Sequence, residues 1–255
     1  DGRKIPITIT RHKKTGLDGT AQAVLYGYGS YGASMAPSFL SPRLSLINRD
    51  IIWVTAHIRG GMELGMKFWK EGKMLNKKNT FEDYIAVAKF LIKKNYTSTG
   101  NIIGLGGSAG GLLMGAVVNQ SPELFLGIIM AVPFVDSLTT NLDHSLPLTV
   151  GELLEFGNAK DNKKHFDYIY SYAPYNNIKK MNYPHMLITT NLSDNRVLFD
   201  EPTKFTAKLR DYKTDNNLLL LKTEMKAGHG GKSGRDNAIE EVALDYAFAL
   251  KISGK

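Results

Sequence analysis

The 255-residue chain has no cysteine, which excludes disulfides, thiolate nucleophiles and thiolate metal sites. That lack fits a reducing compartment, and a cytoplasmic location is expected. No apolar run approaches the roughly 18 residues of a membrane span, and no charged-then-apolar leader with a small-residue cleavage site opens the chain. His-Glu-x-x-His and calcium-loop patterns are missing, so neither a metal nor a cofactor is expected. There is no internal repeat, no low-complexity tract and no sign of a second domain. The first residue is Asp1 rather than methionine, which points to a piece of a longer or processed chain.

The formal charge of +8 is spread mostly as pairs: Lys13-Lys14, Lys77-Lys78, Lys93-Lys94, Lys163-Lys164 and Lys179-Lys180. Scattered pairs read as solvated faces, whereas a nucleic-acid site concentrates them on one face with aromatics between. Neither a nucleic-acid nor a membrane partner is expected.

What the chain does have is strands alternating with helical segments. Ile5, Ile7 and Ile9 alternate with polar or turn residues, as in a half-buried strand. Buried strands are expected at 21–28 and 126–132, and further strands at 51–55, 102–105, 186–190 and 218–223. A helix is expected to start near Thr80, with Thr80 or Asn79 as its N-cap and acids in its first turn. Residues 137–178 read as short helices and loops over the site, and 202–211 as a helix. Ile239, Val242, Ala243, Tyr246 and Leu250 form the apolar stripe of a closing helix. The alternation argues for an α/β fold: a mostly parallel central sheet with helices on both faces.

Gly27-Tyr28-Gly29-Ser30-Tyr31-Gly32 matches the dinucleotide fingerprint in form. That fingerprint needs a helix to open at once, so that its N-terminus meets a pyrophosphate. Here Pro37 and Pro42 interrupt the next stretch, and Asp50 precedes the following strand instead of ending it. The cofactor reading fails on both counts.

Gly106-Gly107-Ser108-Ala109-Gly110-Gly111 lies between a β-branched run and a helix-length apolar run. Gly-x-Ser-x-Gly in that setting is the nucleophile elbow of an α/β-hydrolase, in which Ser, acid and His follow in that order. The strand at 186–190 is followed by Asp194, and the strand at 218–223 by the Gly-flanked His229. The other histidines, His12, His57, His144, His165 and His185, occupy no such loop. Asp200 sits at the mouth of a helix, where an acid has a capping role, and Asp215 precedes its strand. Asp194 is the better acid. Serine is a poor nucleophile at neutral pH, so His229 must take its proton, with Asp194 orienting the ring. The backbone N–H of Ala109 supplies one oxyanion donor.

Further stretches extend the pattern across the whole chain. His57-Ile58-Arg59-Gly60-Gly61, Val132-Pro133-Phe134-Val135-Asp136, Thr149-Val150-Gly151-Glu152 and Gly228-His229-Gly230-Gly231-Lys232-Ser233-Gly234-Arg235 stand beside the Ser108 motif. Together they resemble the prolyl oligopeptidase family of serine peptidases, in its branch that cleaves short peptides after Arg or Lys. The resemblance implies that Tyr28 is the second oxyanion donor and that Arg196 holds a substrate carbonyl. It also implies that Glu152 pairs with the P1 cation, that Phe134 stacks on it, and that Tyr31 joins the substrate-binding residues.

Two departures stand out. The branch commonly carries a second acid two residues after Glu152, where this chain has Leu154, followed by Glu155. An acidic pair that favours a basic P2 residue is replaced by Ala36 and Ser38. Preference at P1 is therefore expected to survive and preference for paired basic residues to be weak. The family also places a β-propeller before the catalytic domain. Residues 1–255 are expected to correspond to the catalytic domain alone: a fragment, or a chain whose propeller is a separate partner or has been lost. An ester hydrolase or a catalytically silent remnant would retain the same fold.

Overall fold

A computed structural model describes all 255 residues. Its seven strands are β1 (Ile7–Thr10), β2 (Ala23–Tyr26), β3 (Ile52–Ala56), β4 (Ile102–Gly107), β5 (Phe125–Ala131), β6 (His185–Asn191) and β7 (Leu219–Glu224). The helices are α1 (Leu44–Ile47), α2 (Met66–Lys70), α3 (Lys78–Lys93), α4 (Ala109–Gln120), α5 (Ser137–Leu142), α6 (Thr149–Phe156), α7 (Lys163–Tyr170), α8 (Asp200–Tyr212) and α9 (Arg235–Ser253). The strands form one sheet in the order β1-β3-β2-β4-β5-β6-β7. Only β1 runs antiparallel to its neighbour; every other pairing is parallel.

Adjacent apolar residues on the central strands go to opposite faces, as the two-residue period of a strand requires. Leu25, Ile102, Ile128 and Ile188 join the larger apolar cluster with Tyr84 of α3, Leu113 of α4 and Phe205 of α8. Val24, Ile103, Ile129 and Leu187 join the smaller one with Leu46 of α1 and Phe248 of α9. Helices thus cover both faces, and β3 is buried along its whole length. This is why the central strands read as unbroken apolar runs rather than as alternation. The open sheet puts its strand ends along one edge, the place where ligands meet such folds. The fold is that of the α/β-hydrolases.

Three local expectations differ from the structure. Helix α3 starts at Lys78 and has no side-chain cap. The Thr80 hydroxyl instead donates to the Arg59 and Gly72 carbonyls, and Asn79 to the Glu71 carbonyl. Tertiary partners outcompete the local cap. Asp83 serves no helix terminus either, because it takes two hydrogen bonds from the buried Arg59 guanidinium. On α9, Ile239 is 53% exposed and Ala243 is exposed, whereas Phe248 and Ala249 are buried. Val242, Tyr246 and Leu250 of the stripe are half-buried, the last two packed with Leu244 on the smaller apolar cluster, so only Ile239 and Ala243 lie off the contact. No helix is long and apolar enough to cross a membrane.

Candidate active site

Ser108 ends the turn from β4 into α4 with φ 54° and ψ −120°. A side chain rarely accepts that region, and its strain must be held by its surroundings. The Ser108 N–H donates to the Ala131 carbonyl at 2.8 Å, and the Phe134 N–H donates to the Ser108 carbonyl at 3.0 Å. Glycine is required close by. A Cβ on Gly106 would run into the Gly110 carbonyl, and one on Gly111 into Pro133. The turn is therefore clamped between two strand ends, with its hydroxyl facing the open side.

The structure brings Asp194 and His229 to that hydroxyl from loops far along the chain. His229 Nε2 lies 3.0 Å from Ser108 Oγ, and His229 Nδ1 lies 2.7 Å from Asp194 Oδ2. A carboxylate on Nδ1 places the neutral ring's proton there and leaves Nε2 as the acceptor. Asp194 is buried, and its other oxygen accepts the N–H groups of Arg196 (2.9 Å) and Val197 (3.0 Å). Both oxygens are thus engaged, which fixes the carboxylate plane.

The histidine loop is held from three sides. Asn191 Nδ2 donates to the Gly228 carbonyl, Glu241 of α9 accepts the Lys232 N–H, and the Lys232 ammonium pairs with Glu224 of β7 at 2.8 Å. Asp200 is the first residue of α8 and pairs with Lys204, while Asp215 pairs with Lys213. Neither approaches the histidine.

Beside the serine opens a cleft of about 420 Å³, lined among others by Tyr28, Tyr31, Phe134, Glu152, Arg196 and His229. Ala109 lies behind Ser108 as the first residue of α4, so its N–H has no partner within the helix. Burial raises the Tyr28 phenol above its ordinary value, with the neighbouring Ser108 hydroxyl acting the other way. A phenol shifted in that direction holds its proton more firmly and can donate it. Phe134 is almost fully buried, its ring 5.4 Å from that of Phe156. Arg196 makes no side-chain hydrogen bond within the chain, which leaves its guanidinium free for a guest.

Glu152 accepts a 2.8 Å hydrogen bond from the Tyr31 hydroxyl and pairs with no cation of this chain. Burial raises its pKa; the Tyr31 hydroxyl opposes that, and the nearby Glu155 charge adds to it. An unpaired carboxyl held part-way out of water is a seat for a cationic side chain. Leu148, Gly151 and Val197 complete the lining and were not legible as site residues.

Leu154 points to solvent at 75% exposure, and Glu155 faces inward, engaged by Tyr31 N–H and Trp69 Nε1 at 2.9 Å each. Ala36 and Ser38 line a different groove, with Trp53 and Tyr246. Of the pair Lys77-Lys78, read as a solvated face, Lys77 is only 1% exposed, and its ammonium is spent on the Gly29 carbonyl and the Ser30 hydroxyl. Spacing alone carries no signal for that. No three His, Asp or Glu side chains are grouped as a metal site.

The profile of the prolyl oligopeptidase family matches residues 37–255. Among similar proteins, "Protease 2" of Moraxella lacunata is 51% identical over 249 residues, covering 98% of this chain and 36% of that protein. "Dipeptidyl aminopeptidase BI" of Pseudoxanthomonas mexicana is 46% identical over 251 residues, covering 98% of this chain and 35% of that protein. The structure of oligopeptidase B from Leishmania major superposes with a TM-score of 0.96 at 43% identity, over 99% of this chain and 35% of that one. The chain thus spans about a third of the length of these relatives. With the family profile, the α/β-hydrolase sheet and close relatives in agreement, the chain belongs to the prolyl oligopeptidase family.

Proposed function

We propose that this chain carries the catalytic machinery of a serine oligopeptidase that cleaves short peptides after Arg or Lys. One observation carries the reading: the hydrogen-bonded line Ser108–His229–Asp194 opens into a cleft whose carboxylate, Glu152, has no cation of its own.

In this reading His229 Nε2 takes the Ser108 proton as Oγ attacks the scissile carbonyl carbon, and Asp194 stabilises the imidazolium that forms. The carbonyl oxygen, now negative, receives hydrogen bonds from the Ala109 N–H and the Tyr28 hydroxyl, each worth about 3 kcal/mol in the transition state. His229 then gives its proton to the leaving amine, and water repeats the sequence on the acyl-enzyme. Glu152 pairs with the P1 guanidinium or ammonium, Tyr31 orients Glu152, Phe134 offers a ring face, and Arg196 holds a substrate carbonyl.

Relatives named "Protease 2" and oligopeptidase B support this class, as does the oligopeptidase B structure of Trypanosoma brucei described with covalently bound antipain. Short basic peptides are the proposed substrates. A β-propeller over the cleft is the proposed partner. Exposed Val150, Leu154 and Phe199, on the segments that carry Glu152 and Arg196, suit a covering surface.

Fluorophosphonate labelling of the wild type and Ser108→Ala, with an Arg-amide reporter in parallel, tests the reading. Ser108-dependent labelling with Arg-amide turnover is expected. Turnover of esters alone would indicate an ester hydrolase instead, and absent labelling a silent domain.

A further inference from the structure

The loop from Gly27 to Gly32 carries both phenols of the cleft, Tyr28 and Tyr31, yet it is irregular backbone. Gly29 has φ +73° and Tyr31 has φ +59°. A tyrosine in the left-handed region is strained and needs its surroundings to hold it there.

What holds it is a buried lysine and a buried glutamate from elsewhere in the chain. Lys77 Nζ donates to the Gly29 carbonyl and to Ser30 Oγ, at 2.6 Å each. Glu155 Oε1 accepts the Tyr31 N–H at 2.9 Å and lies 3.9 Å from the same ammonium. Its other oxygen accepts Trp69 Nε1, next to α2 residue Phe68. The ammonium also lies 5.4 Å from the centre of the Phe156 ring, which in turn meets the Tyr31 ring edge-on.

For stability alone this is a poor arrangement. Lys77 occupies the N-cap position of α3, where a cation opposes the helix dipole. Removing an ion pair from water costs more than its mutual attraction returns in many folds, and apolar residues would pack there as well. Burial pushes the Lys77 ammonium down to about 8, with Glu155 acting against it.

We infer that the Lys77–Glu155 pair is a positioning device, which grips the loop on both sides of Ser30 and so sets the Tyr28 phenol over Ser108 and the Tyr31 phenol against Glu152. One member takes a carbonyl before Ser30, the other an N–H after it. The polar backbone of the strained turn is thereby drawn inward, and the two rings are left on the cleft side. The inference rests on the roles proposed above for Tyr28 and Tyr31.

Lys77→Met, Glu155→Gln and the double change test it in the full chain, with turnover normalised to the serine that fluorophosphonate titrates. Lys77→Met is expected to lower kcat on an Arg-amide roughly ten- to a hundredfold with KM changed less than about threefold, since a misplaced oxyanion donor acts on the transition state. Glu155→Gln is expected to raise KM for the Arg-amide about tenfold and to affect a reporter with a neutral P1 residue much less. The double change should cost less than the product of the two, because both act through one clamp.

A lower melting temperature with unchanged kcat and KM per titrated serine would overturn the inference. Amide hydrogen exchange over Gly27–Gly32 in Glu155→Gln, which keeps the buried lysine, needs no turnover. Faster exchange at the Tyr31 N–H is expected, and unchanged protection would overturn the inference whatever the reporter does. Wild-type protein with no Ser108-dependent turnover would overturn the peptidase reading instead, and the exchange measurement would still decide the clamp.

Discussion

The two sides of the cleft are held by different physics. On the triad side, the Arg196 and Val197 N–H groups hold the Asp194 carboxylate within the loop after β6, and Asn191 at the end of β6, Glu224 at the end of β7 and Glu241 of α9 hold the His229 loop. On the recognition side, Tyr28 and Tyr31 sit on a strained loop gripped by buried charges, Lys77 and Glu155. Bonds within and between loops at neighbouring strand ends, those to the buried Asp194 carboxylate included, come with the topology. The Lys77 and Glu155 charges lie off those ends, and each is matched by a partner that a distant segment provides. The proposed triad is thus the side that the fold largely pre-arranges, and the proposed recognition side is the one this chain assembles from scattered residues.

The sharpest way to separate the two sides is to remove one charge from each. Asp194→Asn should lower kcat/KM by about 10⁴ on every amide substrate, because the His229 tautomer is no longer fixed. A loss confined to basic substrates would break the assignment of Asp194 to the triad. Glu152→Gln should cost roughly 30-fold on Arg-amide reporters, the worth of a charge-assisted pair, and leave neutral-P1 substrates nearly untouched. Equal losses on both substrate types would place Glu152 outside P1 recognition.

A second buried carboxyl supports the recognition side and gives a pH test. Glu201 accepts the Asp136 N–H and the Thr140 hydroxyl, tying the segment after Phe134 to α8. Burial pushes its carboxyl from the ordinary 4.5 up to about 8; the Thr140 and Asp136 bonds oppose that, and the charges of Asp136 and Asp200 add to it. The folded chain therefore binds this proton more tightly than the unfolded chain does. The resulting stabilisation is complete below about pH 4.5 and is lost as pH rises through about 8. Urea midpoints of the wild type should fall between pH 5 and pH 9, as roughly set by those two values, and the slope should flatten in Glu201→Gln. An unchanged slope in that variant would show that other groups govern the dependence. Asp245, pushed up to about 7 by burial and by Glu241, with Lys222 opposing, acts in the same direction and leaves part of the slope in place.

The smallest expected effect concerns P2. With Leu154 exposed and Ala36 and Ser38 lining another groove, Arg-Arg and Gly-Arg reporters should be cleaved within about threefold of each other. A strong preference for Arg-Arg would show that an acid other than these positions serves P2.

The strands were legible because burial on both faces of a parallel sheet writes itself as continuous Ile, Val and Leu. The nucleophile turn was legible because only glycine tolerates the contacts at Gly106 and Gly111. Asp194 and His229 followed from order along the chain. The start of α3 is not legible in the sequence because Thr80 and Asn79, good caps in isolation, are taken by Arg59, Gly72 and Glu71. Lys77 escapes the sequence for a similar reason. A lysine beside a lysine looks solvated until the fold delivers Gly29 and Ser30 to its ammonium.

Local chemistry by itself determined the alternation of strands and helices, the elbow at Ser108 and the chain order of acid and histidine. These depend on period, glycine and spacing, which are properties of short segments. The tertiary structure decided which charges are buried and what they hold. That includes the meeting of Lys77 and Glu155 against the loop from Gly27 to Gly32 and the lack of a cation of this chain beside Glu152. Burial of a charge depends on every segment packed around it, and no window along the chain contains them all.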